Sequence, residues 1–288
     1  MVVGGLREIA AGYDAFLVDL WGVVHDGKSP FVGVRETLTA LSASGRRVIF
    51  LTNTSRTREH VRETLAAMGI GDALYEAVIS SGDVTRAALL ARDPALFDLL
   101  PADPAVCHIG DPSFVPWLFE LGYRFVEELG AADLLVSTGA PRDDAALARS
   151  RADLEPLAER GVPMVCTNPD QVIPTSRGLT LGPGAVAAVY AALGGRTFLY
   201  GKPHAPIYAA ARRQLGHVPD ARVLAVGDLL ATDIRGARAA GLASALIVAT
   251  GGHASALGEA PSEAAIAELC ASAGAGATPD HVLARFAW

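Results

Sequence analysis

Cysteine is almost absent from this chain of 288 residues: it occurs as Cys107, Cys166 and Cys270, an odd number with no CxxC pair. That argues against a disulfide framework and against a cysteine-based zinc site, and a reducing cytoplasm is the expected compartment. A basic excess is missing too, since 24 Lys and Arg face 31 Asp and Glu for a formal charge of −7. Chains that coat nucleic acid or anionic membranes usually carry the opposite sign. Neither partner is expected, and any bound anion must be held by a local site. No stretch approaches the ~20 apolar residues that span a bilayer. The first residues, MVVGGLREIAAGYDAF, carry charge without a long apolar core and do not read as a signal peptide. Aromatics make up only 6% of the chain, while hydrophobic residues make up 51% and charged ones 19%, an ordinary soluble balance with ample length for a buried core.

What is present is an alternation of short apolar runs with longer helical patterns. FLVDL precedes GVRETLTALSASG, in which Val34, Leu38 and Leu41 recur at helical spacing and Gly45 stands where a helix should end. RVIFLTN and TREHVRETLAAMGI repeat the pair. Towards the other end come TFLYGKP, APIYAAARRQLG, VLAVGD, TDIRGARAAG and SALIVAT. This rhythm predicts α/β architecture with a parallel sheet, in which ligands bind beyond the carboxyl ends of the strands. Between the two ends, VCHIGD, DLLVSTG and PMVCTNPD form a second strand–helix pattern, so the middle reads as an inserted domain. The expected division is a core of residues 1–86 and 193–288 around an insert of 87–192. The Ala/Gly/Ser-rich stretch from His253 reads as loop around a helix at SEAAIAELCAS.

Four stretches fall at strand ends of the core: Asp19 in VDLWG, Thr52-Asn53 in FLTNTSR, Lys202 in YGKP, and Asp228 with Asp233 in VGDLLATD. Singly, each has a plain structural reading as a helix cap, a turn or a solvated lysine. Together they are harder to dismiss. Two carboxylates and a backbone carbonyl make a hard oxygen site suited to Mg²⁺. A hydroxyl, an amide and an ammonium can hold the other oxygens of a phosphoryl group.

In that order the stretches DLWGVVHDG, LTNTSR, GKPHAPIY and GDLLATDIRGARAAG resemble the four motifs of the haloacid dehalogenase (HAD) superfamily of phosphohydrolases. CTNPD with the Gly-Pro-Gly-Ala stretch at 182–185 resembles the cap signature of its class IIA, and the resemblance covers nearly the whole chain. It implies a Rossmann-like parallel-sheet HAD core with an inserted α/β cap domain. It also implies a small phosphorylated metabolite as substrate, Mg²⁺ as cofactor and an aspartyl-phosphate intermediate on Asp19. Asp19, Asp228 and the Trp21 carbonyl would hold the metal. Thr52 and Asn53 would contact the phosphate. Lys202 would neutralise charge between nucleophile and phosphate, and Asp233 would orient Lys202 or a metal-bound water. Asn168 and Asp170 of the cap would bias substrate choice. A homo-oligomer is compatible with the sequence, which says nothing firm about it.

One position departs from the pattern. The usual motif one is DxDG, whose second aspartate protonates the leaving group and then activates water. Here Trp21 stands in its place, keeping the carbonyl and losing the carboxyl. His25 and Asp26 in the same loop, and His204 after Lys202, are the candidate replacements. The alternatives to a phosphatase with an altered acid step are a phosphometabolite-binding or regulatory protein with little turnover, favoured by Trp21, and a carbon–halogen hydrolase, disfavoured by the cap signature.

Overall fold

The computed structural model describes residues 2–175, 178–258 and 261–288. In chain order the strands are β1 (Val2–Val3), β2 (Ala15–Val18), β3 (Arg47–Thr52) and β4 (Ala77–Ser80), then β5 (Ala105–Ile109), β6 (Arg124–Phe125), β7 (Leu134–Ser137) and β8 (Met164–Cys166). They continue with β9 (Val172–Thr175), β10 (Gly178–Leu181), β11 (Thr197–Leu199), β12 (Val223–Gly227), β13 (Ala243–Ile247) and β14 (His281–Leu283). The chain divides into two compact units, one of residues 1–52, 58–79 and 202–288, the other of 53–57 and 80–201.

The first unit is built on a seven-stranded sheet in the order β1-β14-β13-β12-β2-β3-β4. β2, β3, β12, β13 and β14 pair in parallel. Residues Phe16 to Val18 and Val223 to Val226 are buried without interruption, as expected of strands covered on both faces. The helix Val34–Ala43 forms where the sequence predicts, buries Val34, Leu38 and Leu41, and is followed by Gly45 at φ 71°. The helix Arg58–Ala67 buries Val61 and Leu65 in the same way. The register pairs Val226 with Val18 and Val18 with Phe50. That register brings the residues following β2, those following β12 and the end of β3 to one edge of the sheet.

The second unit holds a five-stranded parallel sheet, β11-β8-β7-β5-β6, and the antiparallel hairpin β9–β10. The division differs from the expected one at both borders. The helix Ser81–Leu90 sorts with the second unit, and so does β11, whose Thr197 pairs with Met164 rather than with any strand of the larger sheet. A three-residue apolar run carries no information about which sheet it joins. A helix also occupies Glu263–Ser272, as the sequence suggests.

The larger core is anchored by Phe50, fully buried and 4.9 Å from the Tyr75 ring between centroids. Phe50→Ala should therefore lose about 3–5 kcal/mol of unfolding free energy in urea titrations. An unchanged midpoint would mean that this part of the core does not carry the fold.

Candidate active site

β2 delivers Asp19 one residue past its last paired position, where the Asp19 N–H still donates to the Val226 carbonyl at 2.9 Å. β12 delivers Asp228 in the same way on the neighbouring strand. A wide helical turn over Leu230–Ile234 then carries Asp233 back towards Gly227. A side chain at Gly227 would meet the Asp233 carboxyl carbon at 2.1 Å, so this close approach requires glycine. Lys202 heads the last segment of the unit, and its Nζ lies 2.7 Å from both Asp19 and Asp233. Lys202, Asp19, Asp228 and Asp233 are all at least nine-tenths buried.

The structure thus brings together four of the residues singled out in the sequence. One oxygen from each of Asp19, Asp228 and Asp233 lies within 4.8 Å of the other two. Three buried carboxylates stand beside one ammonium, and burial together with the surrounding charges shows in the acid–base behaviour of Asp19 and Asp228. Burial pushes Asp19 up to about 7, against the pull of Lys202 and with the help of Asp233. Burial and then the charge of Asp19 raise Asp228 well above the usual carboxylate range. Burial works against the charge of Lys202, but the two carboxylates beside it outweigh this and hold the ammonium above its ordinary value. A divalent cation among these oxygens would cancel the excess charge, and an all-carboxylate donor set suits Mg²⁺. On charge and donor chemistry, the residues fit the ion.

Trp21 lies in the loop that follows Asp19. The His25 N–H donates to the Leu20 carbonyl at 3.1 Å, and the Gly22 N–H donates to the His25 carbonyl at 3.1 Å. The C=O and N–H of one trans peptide point opposite ways, so the Trp21 carbonyl faces away from His25. The indole meets the His25 ring edge-on, with centroids 5.6 Å apart. It also covers Gly27, where a Cβ would lie 2.4 Å from the indole. The two candidate replacements in this loop are both bonded to its own backbone. Both N–H groups of Lys28 and Ser29 donate to the Asp26 carboxylate at 2.8 Å and hold its proton affinity below the usual range. The Gly27 N–H donates to His25 Nδ1 at 3.0 Å, and burial pushes this imidazole down to about 4, so it is neutral near pH 7. His204 stands at the N-cap position of the helix Ala205–Leu215, makes no side-chain capping bond there, and is lowered by burial.

Thr52 closes β3 in the first unit, whereas Asn53 opens the short segment that belongs to the second. There the Asn53 amide donates to Asp170 Oδ1 at 2.9 Å. Asn168 spends its side-chain oxygen on the Asp170 N–H at 2.9 Å, an Asx turn.

Sequence reasoning missed the loop after β13. The Thr250 hydroxyl donates to the Gly22 carbonyl at 2.6 Å, and the Gly252 N–H donates to Asp228 Oδ2 at 2.6 Å. A side chain at Gly22 would meet Asp228 Oδ2 at 2.3 Å and the Gly251 Cα at 2.6 Å. Three loops thus interlock around the Asp228 carboxylate. The only sequence signal was a Thr-Gly-Gly run at a strand end.

Comparison with known proteins decides the family. Residues 16–124 and 108–241 match haloacid dehalogenase-like hydrolase families. The D-glycerol 3-phosphate phosphatase of Mycobacterium tuberculosis is 32% identical over 250 residues, which is 85% of this chain and 65% of that protein. The chain belongs to the haloacid dehalogenase-like hydrolases. A crystal structure of a hydrolase of this family from Brucella suis is 30% identical, with a TM-score of 0.78 and 98% of both chains covered. A glycerol phosphate phosphatase from M. tuberculosis, crystallised in complex with magnesium, is 28% identical, with a TM-score of 0.67 over 95% of this chain and 76% of that one. No helix among the described residues is long and apolar enough to cross a membrane.

Thr250→Val keeps the shape and strands the buried Gly22 carbonyl without its donor. It should cost about 1–3 kcal/mol in chemical denaturation, and Thr250→Ser should restore most of it. A valine variant as stable as the parent would remove the hydroxyl from this account.

Proposed function

We propose that this hydrolase is a divalent-cation-dependent phosphatase for small phosphorylated metabolites, working through an aspartyl-phosphate on Asp19. The observation that carries the reading is the excess of buried carboxylate over ammonium at one sheet edge. The M. tuberculosis relatives, named as glycerol phosphate phosphatases and one of them bound to magnesium, support it. A cytoplasmic site of action belongs to the same proposal.

Asp19, Asp228 and the Trp21 carbonyl would hold Mg²⁺, which when bound supplies charge neutralisation for the phosphoryl oxygens. Asp19 attacks phosphorus and forms the new P–O bond, while the leaving oxygen departs with its electron pair. Lys202, fixed by Asp233, neutralises charge between nucleophile and phosphate. Thr52 and Asn53 donate hydrogen bonds to phosphate oxygens. Asp170, through its bond to the Asn53 amide, sets the direction of that donor, and Asn168 shapes the turn that carries Asp170. The second unit serves as the substrate-selecting cap. Water then attacks phosphorus, the P–O bond to Asp19 breaks with its electron pair returning to the carboxylate, and the water's proton leaves with inorganic phosphate.

The missing carboxyl at Trp21 sets the substrate range. A positioned acid is worth about 10²–10⁴-fold, or roughly 3–5 kcal/mol of barrier. Leaving groups that need no proton, such as aryl or acyl phosphates, should bear this loss better than alkyl phosphates. The second reading, a phosphometabolite-binding protein with little turnover, is favoured by the same residue.

Three measurements test the proposal. Hydrolysis of p-nitrophenyl phosphate should require Mg²⁺, stop with EDTA and vanish in Asp19→Asn. Mg²⁺ should raise the unfolding temperature of the parent and have little effect on Asp228→Asn. Alkyl esters should lag aryl esters by about 10²–10⁴-fold, and Trp21→Asp should narrow that gap, with folding checked in parallel because the half-buried indole packs on Gly27. Equal rates on both ester classes would mean that another group donates the proton. Binding of phosphoesters without hydrolysis of either class would favour the binding-protein reading.

A further inference from the structure

The wide turn over Leu230–Ile234 starts without a cap of its own. The first N–H groups of a helical turn have no carbonyl one turn back to receive them. Leu229, the residue before this one, is apolar and makes no side-chain capping bond. Two other acceptors stand in. The Leu229 N–H donates to Asp233 Oδ2 at 3.1 Å, so the turn closes on the carboxylate that it carries. The Leu230 N–H donates to His253 Nε2 at 3.3 Å, a partner 23 residues further along the chain. Leu230 is only 2% exposed, so water is a poor substitute for the imidazole. Wide turns of this kind cluster at functional sites.

His253 is held from its own side as well. It stands at the N-cap position of the short helix Ala254–Leu257, and its carbonyl accepts from the Ala256 N–H at 3.2 Å and the Leu257 N–H at 3.0 Å. Its neighbour Gly252 donates to Asp228 Oδ2 at 2.6 Å. A Cβ on Gly252 would meet Leu229 Cδ2 at 2.3 Å, so the two loops are in close contact. Gly252 and His253 thus grip the chain on either side of Leu229. Further along the turn, the Tyr208 hydroxyl donates to the Asp233 carbonyl at 3.4 Å.

The chemistry of the acceptor suits the place. Asp19, Asp228 and Asp233 already bring carboxylate oxygens within 4.8 Å of one another. An Asp or Glu capping Leu230 would add a fourth negative charge beside them. A neutral imidazole offers one bare ring nitrogen and no charge. With Nε2 accepting, the single ring proton sits on Nδ1.

We propose that His253 is a positioning residue of the active site: by capping the Leu230 N–H it fixes the turn that aims Asp233 at Lys202 and keeps Asp228 beside it. The kinetic consequence rests on the phosphatase reading. His253 acts through Leu230 and Asp233, not on the reacting atoms.

Three variants separate the ring nitrogen from the bulk of the side chain. Gln carries its amide oxygen at about the reach of Nε2, Asn carries it at about that of Nδ1, and Leu has no acceptor. With p-nitrophenyl phosphate and saturating Mg²⁺, His253→Leu and His253→Asn should lower kcat about five- to a hundredfold and leave KM within about twofold. His253→Gln should keep most of the parental rate. In titration calorimetry His253→Leu should bind Mg²⁺ more weakly, with His253→Gln close to the parent. A side chain that only packs the loop would lower the unfolding midpoint without this order. Equal kcat in the Leu and Gln proteins, whether both normal or both impaired, would overturn the proposal. The ring proton gives a test independent of turnover. Nitrogen–proton NMR of the histidine rings, with the His253 signals assigned by their loss in His253→Gln, should find it on Nδ1. A proton on Nε2 would overturn the proposal as well. If the parent protein does not hydrolyse p-nitrophenyl phosphate, the phosphatase reading fails, and calorimetry and NMR decide the role of His253 by themselves.

Discussion

The Lys202 ammonium, held 2.7 Å from Asp19 and from Asp233, is the interaction on which the rest of the first unit depends. Three carboxylates cannot be buried within reach of one another unless something pays for their repulsion, and one cation only begins to do so. The backbone around them shows the cost. Gly22, Gly227 and Gly251 stand where any side chain would collide with Asp228 or Asp233. The Gly252 N–H and the Thr250 hydroxyl are recruited from a third strand end to fix the carboxylate and the turn beside it. Such concentrated unbalanced charge is hard to explain as a device for stability, since an apolar replacement would pack as well at lower cost. It is readily explained as a site completed by a cation and a phosphoryl group.

Trp21 is integrated into this arrangement. It stands two residues past Asp19, on the same loop as His25, and Gly27 exists in the space its ring leaves. The loop's own polar groups are committed elsewhere, Asp26 to the turn at Lys28 and Ser29 and His25 to the Gly27 N–H. On the proposed reading, an acid has been exchanged for an apolar surface, which moves the burden of protonation to the substrate. On that reading, leaving-group chemistry limits the substrate.

The sequence made the local architecture readable where one short window held the whole signal. The buried runs of β2 and β12, the helix with Val34, Leu38 and Leu41, and the strand-end positions of Asp19 and Asp228 each lie within a dozen residues. What stayed hidden depends on pairing over long separations. β11 reads as a strand from its own residues, yet only its register with Met164 assigns it to the smaller sheet. The same holds for the bond from Thr250 to Gly22, 228 residues apart, and for the segment 53–57, whose partners come from Ser81, Trp117 and Thr167. Asn168, expected to bias substrate choice, accepts the Asp170 N–H in an Asx turn, a local feature that Asn-Pro-Asp itself suggests.

The account stands on Asp19 acting as a nucleophile among these charges. The direct measurement is acid-quenched turnover of p-nitrophenyl phosphate with Mg²⁺, followed by peptide mass spectrometry to locate any phosphoryl group. A phosphorylated peptide spanning Asp19, lost in Asp19→Asn, is the predicted result. Turnover that proceeds in the Asp19→Asn protein would contradict it.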